Sequence, residues 1–335
     1  MQNCFQLVLL VAVSYHVLTL QTPNTRLSVD KASLVATHPE TGAKRMPIED
    51  IRAVVVATHQ VSFSNECLAQ LLESNVTVLH CNRQFKPVGW SVGVEQVVER
   101  KAFINQVTQP KDLQLELWRK LLEVKFNNQA WILDNYGVNH SLHDLKARIL
   151  PNEANIAKQF WKHYFNLLGA TQTREKQGAT RFENQALNYG YAVIATLIYR
   201  AVLLHGLLPN LGIHHQVRYR SHPLVYDLQE PFRGFVEYLL AEFILNQLGD
   251  IDNLDDETRF KEWIMFLTQS LRDLRVKIEA EKHSFKLMDA VDKYVNSVAR
   301  CFEHLTVDKL WLPSLQNAYW FNTNSNELDS DNDEE

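Results

Sequence analysis

The feature that most limits the fold of this chain is a change of hydrophobic period just after Trp90. Before it, short β-rich runs alternate with turns; after it, apolar residues recur at helical spacing nearly to Leu315. In the first part, residues 15–20 end at Pro23-Asn24, residues 26–29 and 33–37 flank Asp30-Lys31, and residues 39–42 supply a further turn. Residues 52–58 (RAVVVAT) read as a buried strand, because the central side chains are β-branched or small. Ser64 caps a short helix with Cys67, Leu68, Leu71 and Leu72 at helical spacing, and residues 76–79 return as a strand. In the second part, Leu113, Leu117, Leu121 and Leu122 lie on one stripe. Breaks at Gly137, Pro151, Gly169 to Gly178, Gly206 to Pro209 and Asn246 to Asn253 divide it into roughly six to nine helices. The expected class is α+β: a small, mainly β domain over residues 1–94, an all-α domain over 95–323, and a tail over 324–335 too polar to fold alone.

The net charge of −5 conceals an uneven distribution. The tail holds six acids and no base, which leaves the rest of the chain at +1. Between Ser141 and Arg233 stand eleven Lys and Arg against six Asp and Glu, with six of the thirteen histidines. Such a local surplus is the footprint of a phosphate-binding surface, and also of a solvated helix face. The four cysteines (Cys4, Cys67, Cys81, Cys301) lack C-x-x-C spacing and read as reduced, mostly buried thiols. Residues 5–20 are apolar, but no Lys or Arg precedes them. Ser14, Tyr15, His16 and Thr19 interrupt the run before the about 18–20 apolar residues of a span accumulate. A cytoplasmic protein with a strand from Tyr15, and no membrane segment, is expected.

The densest chemistry lies in residues 211–233, LGIHHQVRYRSHPLVYDLQEPFR. His214 and His215, Arg218 and Arg220, Asp227 and Glu230, and a closing Arg233 fall within one short segment, with Pro223 and Pro231 around the acidic step. Hard divalent cations take oxygen ligands, and a histidine nitrogen suits Mn²⁺ better than Mg²⁺. Residues three apart on a helix share a face, with Cβ atoms roughly 5–6 Å apart, so a helix through Glu230 lets Asp227 and Glu230 hold one ion. A solvated acidic turn beside a core histidine accounts for the same residues equally well. Glu153 opens an amphipathic helix over residues 154–168, where a first-turn acid ordinarily only complements the dipole. Tyr189, Tyr191 and Asn188 open another, largely apolar helix over 192–204, either as buried hydrogen-bonding groups or lining a polar cleft. Arg174, Lys176 and Arg181 lie in a glycine-containing loop that suits phosphate contact or simple exposure. His143-Asp144 is the bare dipeptide of an HD-type phosphohydrolase, a pair that is common by chance.

Several segments occur in an order that resembles one family. YHVLTLQTPNTRLSVDKASLV, MPIEDIRAVVV, SNECLAQLLESNVTVLHCN and KPVGW precede NEANIAKQFWKHYF, ENQALNYGY, LGIHH and DLQEPFR. Each is weak by itself; the ordered set is similar to the CRISPR-associated adaptation integrase, the larger subunit of the spacer-acquisition complex, over residues 15–249. The resemblance implies that the helical domain carries the active site. Glu153, His215 and Glu230 stand at its metal-binding positions and Asp227 at a supporting acid, for Mg²⁺ or Mn²⁺. It implies joining of short DNA fragments to CRISPR repeat DNA by attack of a 3′-hydroxyl, or nuclease activity with water as nucleophile. Gln229 stands where a Met is common in the family. Arg174, Lys176, Arg181, Arg218, Arg220 and Arg233 are the candidate DNA contacts; Arg233 pairing with Glu230 one turn away is the structural alternative. A homodimer through the β domains, bridged by a small ferredoxin-like partner subunit, is also implied. The competing reading is a DNA-binding structural subunit of the same kind of complex that has lost catalysis.

Overall fold

The computed structural model describes residues 16–82, 86–93, 100–145, 149–170, 173–176, 178–216, 222–246, 254–278 and 281–320. The N-terminal apolar run up to Tyr15, Arg218, Arg220 and the acidic tail lie outside the described residues. The chain divides into two compact units, residues 1–96 and 97–335.

The first unit holds β1 (His16–Leu20), β2 (Thr25–Asp30), β3 (Ser33–His38), β4 (Gly42–Pro47), β5 (Ile51–Val56), β6 (Val61–Phe63), α1 (Asn65–Glu73), β7 (Thr77–Cys81) and β8 (Pro87–Ser91). They form two four-stranded sheets, ordered β1-β5-β7-β8 and β4-β3-β2-β6. β1, β5 and β7 run parallel, and β5 is buried at all positions, as the near-continuous apolar run of a central parallel strand requires. Ser64 accepts the Cys67 backbone N–H and caps α1, whose Cys67 and Leu71 join Leu27, Ile51, Val54 and Val78 in the core. The β2–β3 hairpin turns through Lys31 and Ala32, both at positive φ (48° and 58°), where Asn-Gly is the usual solution.

The second unit holds α2 (Arg100–Val107), α3 (Lys111–Asn135), α4 (Leu142–Leu145), α5 (Ile149–Leu167), α6 (Phe182–Leu204), α7 (Pro223–Asn246), α8 (Asp256–Asp273), β9 (Leu274–Ile278), β10 (Glu281–Lys286), α9 (Leu287–His304) and β11 (Ala318–Trp320). α7 is buried nearly all round, packed against α3 and α6. α6 is long and apolar enough to cross a membrane by length and composition, and most of it is buried within this unit. Gly234 of α7 permits the close approach of α3: a Cβ there would come within 2.6 Å of Asn128 Cβ.

Three differences from the sequence expectations have local causes. β9, β10 and β11 form a three-stranded antiparallel sheet, ordered β10-β9-β11, inside the otherwise helical unit. These strands are three to six residues long, too short for their alternation to stand out beside the flanking helices. Pro151 does not end a helix but sits in the first turn of α5, where a missing N–H leaves no bond unmade. α6 likewise starts at Phe182 and carries Asn188, Tyr189 and Tyr191 within it rather than ahead of it.

Candidate functional site

Three helices of the second unit carry the site. Pro223 takes the first position of α7, where its fixed φ and absent N–H are harmless. Asp227 and Glu230 then follow one turn apart, both buried. On α3, Trp118 and Lys125 stand seven residues apart and so share a face. α5 brings Glu153.

The Lys125 ammonium links the two glutamates: Nζ lies 2.8 Å from Glu230 Oε2 and 3.5 Å from Glu153 Oε1. Their side chains are 10% exposed for Lys125, 7% for Glu230 and 38% for Glu153, so the cluster grades from interior to solvent. The second oxygen of Glu230 pairs with Arg233 Nε at 3.0 Å, and the Arg233 guanidinium lies over the Tyr191 ring, 4.7 Å from its centroid. Burial alone would push the Glu230 carboxyl up, but Arg233 and Lys125 overturn that and bring it down to about 2. Glu230 Oε2 and Arg233 Nε are both fully buried, and neither ionic contact to Glu230 is a well-directed hydrogen bond.

His215 is held by Asp227. The ring Nδ1 donates to Asp227 Oδ1, the His215 backbone N–H donates to the same carboxylate at 3.3 Å, and the His214 N–H donates to Oδ2 at 2.8 Å. With Nδ1 as donor, the lone pair of a neutral ring is on Nε2. Gly212 makes this loop possible: a Cβ there would meet His215 O at 2.4 Å and Asp227 Oδ2 at 2.8 Å. Gln106 of α2 ties the preceding segment, donating from Nε2 to Leu208 O and Leu211 O at 3.0 and 2.9 Å and accepting the Leu208 N–H at 2.8 Å. The exposed His214 ring stacks on Trp118, centroids 4.3 Å apart, which distinguishes it from its neighbour.

Behind the glutamates lies a buried polar layer. Gln129 donates to both oxygens of Glu237 at 3.1 and 3.0 Å, and the Tyr191 hydroxyl donates to Oε1 at 2.6 Å. Burial holds the Glu237 carboxyl above its usual range. Gln229 donates to Tyr191 O. Asn128 joins α3 to α7 and to the segment before β11: it donates to Pro231 O at 3.0 Å and Pro313 O at 3.2 Å and accepts the Leu315 N–H at 3.0 Å.

The candidate DNA contacts separate. Arg174 is turned inward, donating to Asn184 Oδ1 and Asn188 Oδ1 at 3.0 and 2.6 Å, with its guanidinium over Trp161 and Tyr191. Arg233 makes the pair with Glu230 named above. Lys176 and Arg181 are exposed.

Glu153 and Glu230 thus meet at one ammonium, and His215 meets Asp227 one turn along α7. No three of the four have ligand atoms within 4.8 Å of one another, with the Lys125 ammonium standing between the two glutamates. Among the described residues, the set of three whose ligand atoms lie within 4.8 Å of one another is Asp134, His140 and His143. There His140 Nδ1 accepts the Leu142 N–H, so Nε2 carries the proton and donates to Asp134 at 3.0 Å, and His143 pairs with the other oxygen at 2.8 Å. That arrangement uses the imidazoles as donors, not as metal ligands, and it occupies the His143 of the phosphohydrolase dipeptide. At the first cluster, by contrast, a buried carboxylate oxygen with only a cation beside it, a second carboxylate and an imidazole with Nε2 free of the Asp227 contact suit a divalent ion. Lys125, Trp118, Asn128, Gln129 and Glu237 were not singled out from the sequence; the available signal was the run of Lys, Asn and Gln on the apolar face of α3.

Comparisons with known proteins agree with this architecture. The CRISPR-associated endonuclease Cas1 of Neisseria meningitidis serogroup C (strain 8013) is 28% identical over 280 residues, covering 81% of this chain and 87% of that protein. A casposase bound to its integration product shares the fold with a TM-score of 0.75 at 18% identity, covering 88% of this chain and 94% of that one. A chain of a Cas6-RT-Cas1–Cas2 complex shares it with a TM-score of 0.68 at 15% identity, covering 89% of this chain and 36% of that one. The family model for CRISPR associated protein Cas1 matches residues 18–274, well over half of the sequence, and the chain belongs to that family.

Proposed function

We propose that this protein is a metal-dependent DNA integrase and endonuclease of CRISPR adaptation, joining short DNA fragments to repeat DNA by 3′-hydroxyl transesterification. The observation that carries the reading is the meeting of Glu153 and Glu230 at one cation position, one helical turn from an Asp227 that aims His215. Glu153, His215 and Glu230 would hold Mg²⁺ or Mn²⁺, which when bound polarises a scissile phosphodiester and stabilises developing charge. Asp227 acts by fixing the tautomer and orientation of His215. Arg233 holds the Glu230 carboxylate ionised and in place. Phosphate contacts fall to Lys176, Arg181, Arg218 and Arg220, since Arg174 and Arg233 direct their donors inward. The casposase found with an integration product, the TtCas1–DNA complex and the complex that includes Cas2 support DNA as substrate and a Cas2 subunit as partner. Dimerisation through the β unit completes the proposed assembly.

One observation favours the competing reading of a non-catalytic DNA-binding subunit: the Lys125 ammonium stands between the two carboxylates. Strand transfer of a short 3′-hydroxyl duplex into supercoiled repeat-bearing plasmid, with Mg²⁺ or Mn²⁺, separates the two. Joining by the wild type that is lost in His215→Ala supports the integrase. DNA binding without joining, even with the partner subunit present, supports the structural subunit.

A further inference from the structure

We propose that Lys125 is an exchangeable counter-cation: in the metal-free protein its ammonium holds Glu153 and Glu230 together, and it gives up that position when a divalent cation binds. The inference rests on the reading of Glu153 and Glu230 as metal ligands and adds a competitor for their charge that belongs to the protein itself.

The two cations on Glu230 differ in kind. Arg233 pairs through Nε at 3.0 Å and is clamped over the Tyr191 ring, so it is a fixed partner. Lys125 is a compact charge on a flexible four-carbon stem, able to rotate away without disturbing a planar fork. Neither cation makes a well-directed hydrogen bond to Glu230: its Oε2, 2.8 Å from Lys125 Nζ, and the Arg233 Nε both lack one, so both links are chiefly ones of charge. What separates them is the Tyr191 ring that holds Arg233 and the flexible stem that lets Lys125 move. An ammonium this close to both carboxylates is incompatible with a divalent ion on the same oxygens, because like charges a few ångströms apart repel strongly even in a polarisable interior. Glu153 is the more exposed of the two acids, so Lys125 has a solvent-facing side toward which to withdraw. Without Lys125 and without metal, Glu230 keeps Arg233 but Glu153 loses the one cation within 4 Å described for it. The metal-free site then becomes more acidic and binds a divalent ion more tightly.

The test is calorimetric titration of Mn²⁺ into the metal-free, full-length protein, with thermal melting in EDTA and in Mn²⁺. Lys125→Met keeps a side chain of similar length and removes the charge, including the ammonium that lies 5.0 Å from the Phe126 ring centroid. It is expected to bind Mn²⁺ at least about tenfold tighter than wild type, on the scale of one close charge pair, and to gain more in melting temperature from Mn²⁺. Lys125→Arg keeps the charge on a bulkier, less easily displaced group, and is expected to melt like wild type in EDTA and to bind Mn²⁺ about tenfold more weakly. This second variant decides the matter if Lys125→Met does not fold. Mn²⁺ affinity unchanged in either folded variant, while Glu230→Gln abolishes binding, overturns the exchange and leaves the ligand assignment standing. Mn²⁺ binding that Glu230→Gln does not alter overturns both.

Discussion

His215 and Asp227 are joined twice: the ring Nδ1 and the backbone N–H of the histidine both donate to the one buried carboxylate. A single side chain on α7 thus sets the position of the loop and the orientation of the imidazole, and it fixes which ring nitrogen is left to act.

Asp227→Asn preserves size but turns one acceptor into a donor facing the loop N–H groups. Strand transfer and Mn²⁺ affinity should both fall about 10–100-fold, as on loss of other residues that orient a metal-binding histidine, with helical content by circular dichroism retained. Unaltered Mn²⁺ affinity would assign Asp227 to the loop alone.

Asn128 satisfies three backbone groups, one on α7 and two in the segment before β11. Asn128→Ala leaves those buried groups unpaired and should cost about 2–4 kcal/mol, read as a lower urea midpoint by tryptophan fluorescence. A change within about 0.5 kcal/mol would mean water replaces the amide.

Ala32 holds a left-handed conformation at φ 58° in the β2–β3 turn. Glycine adopts it without the Cβ penalty, so Ala32→Gly should stabilise the β unit by about 1 kcal/mol net of its greater unfolded entropy. Calorimetry should show the transition of that unit moving upward.

His205, which caps the end of α6, has its pKa lowered chiefly by burial, against an opposing pull from Asp292. Above about pH 6.5 the ring is neutral in both folded and unfolded chains. As pH falls below that value the unfolded chain takes up the proton first, and stability is lost from there down to the depressed folded value, below which the ring is charged in both states. The melting temperature should decline on acidification from neutral pH, and His205→Gln should flatten that decline.

The sequence carried the order of the chemistry. The switch of hydrophobic period after Trp90 marks a β-rich part followed by helices, and the spacing of Asp227 and Glu230 puts both on one face of a helix. Strands β9 to β11 leave little local signal because they are short and because β11 pairs with β9 from beyond α9. Arg174 read as a loop cation, whereas its contacts with Asn184, Asn188, Trp161 and Tyr191 exist only once α5 and α6 are packed.

What the sequence determined by itself is which side chains are present and which neighbours share a face, since helix and strand periods are local properties of the backbone. What only the tertiary structure decided is their electrostatic state. Lys125, Glu153 and Glu230 come from three helices, and nothing in their spacing along the chain predicts an ammonium between two carboxylates. That juxtaposition exists only because α3 packs against both α7 and α5, and Arg233 together with Lys125 lowers the Glu230 carboxyl to about 2 although burial alone would raise it.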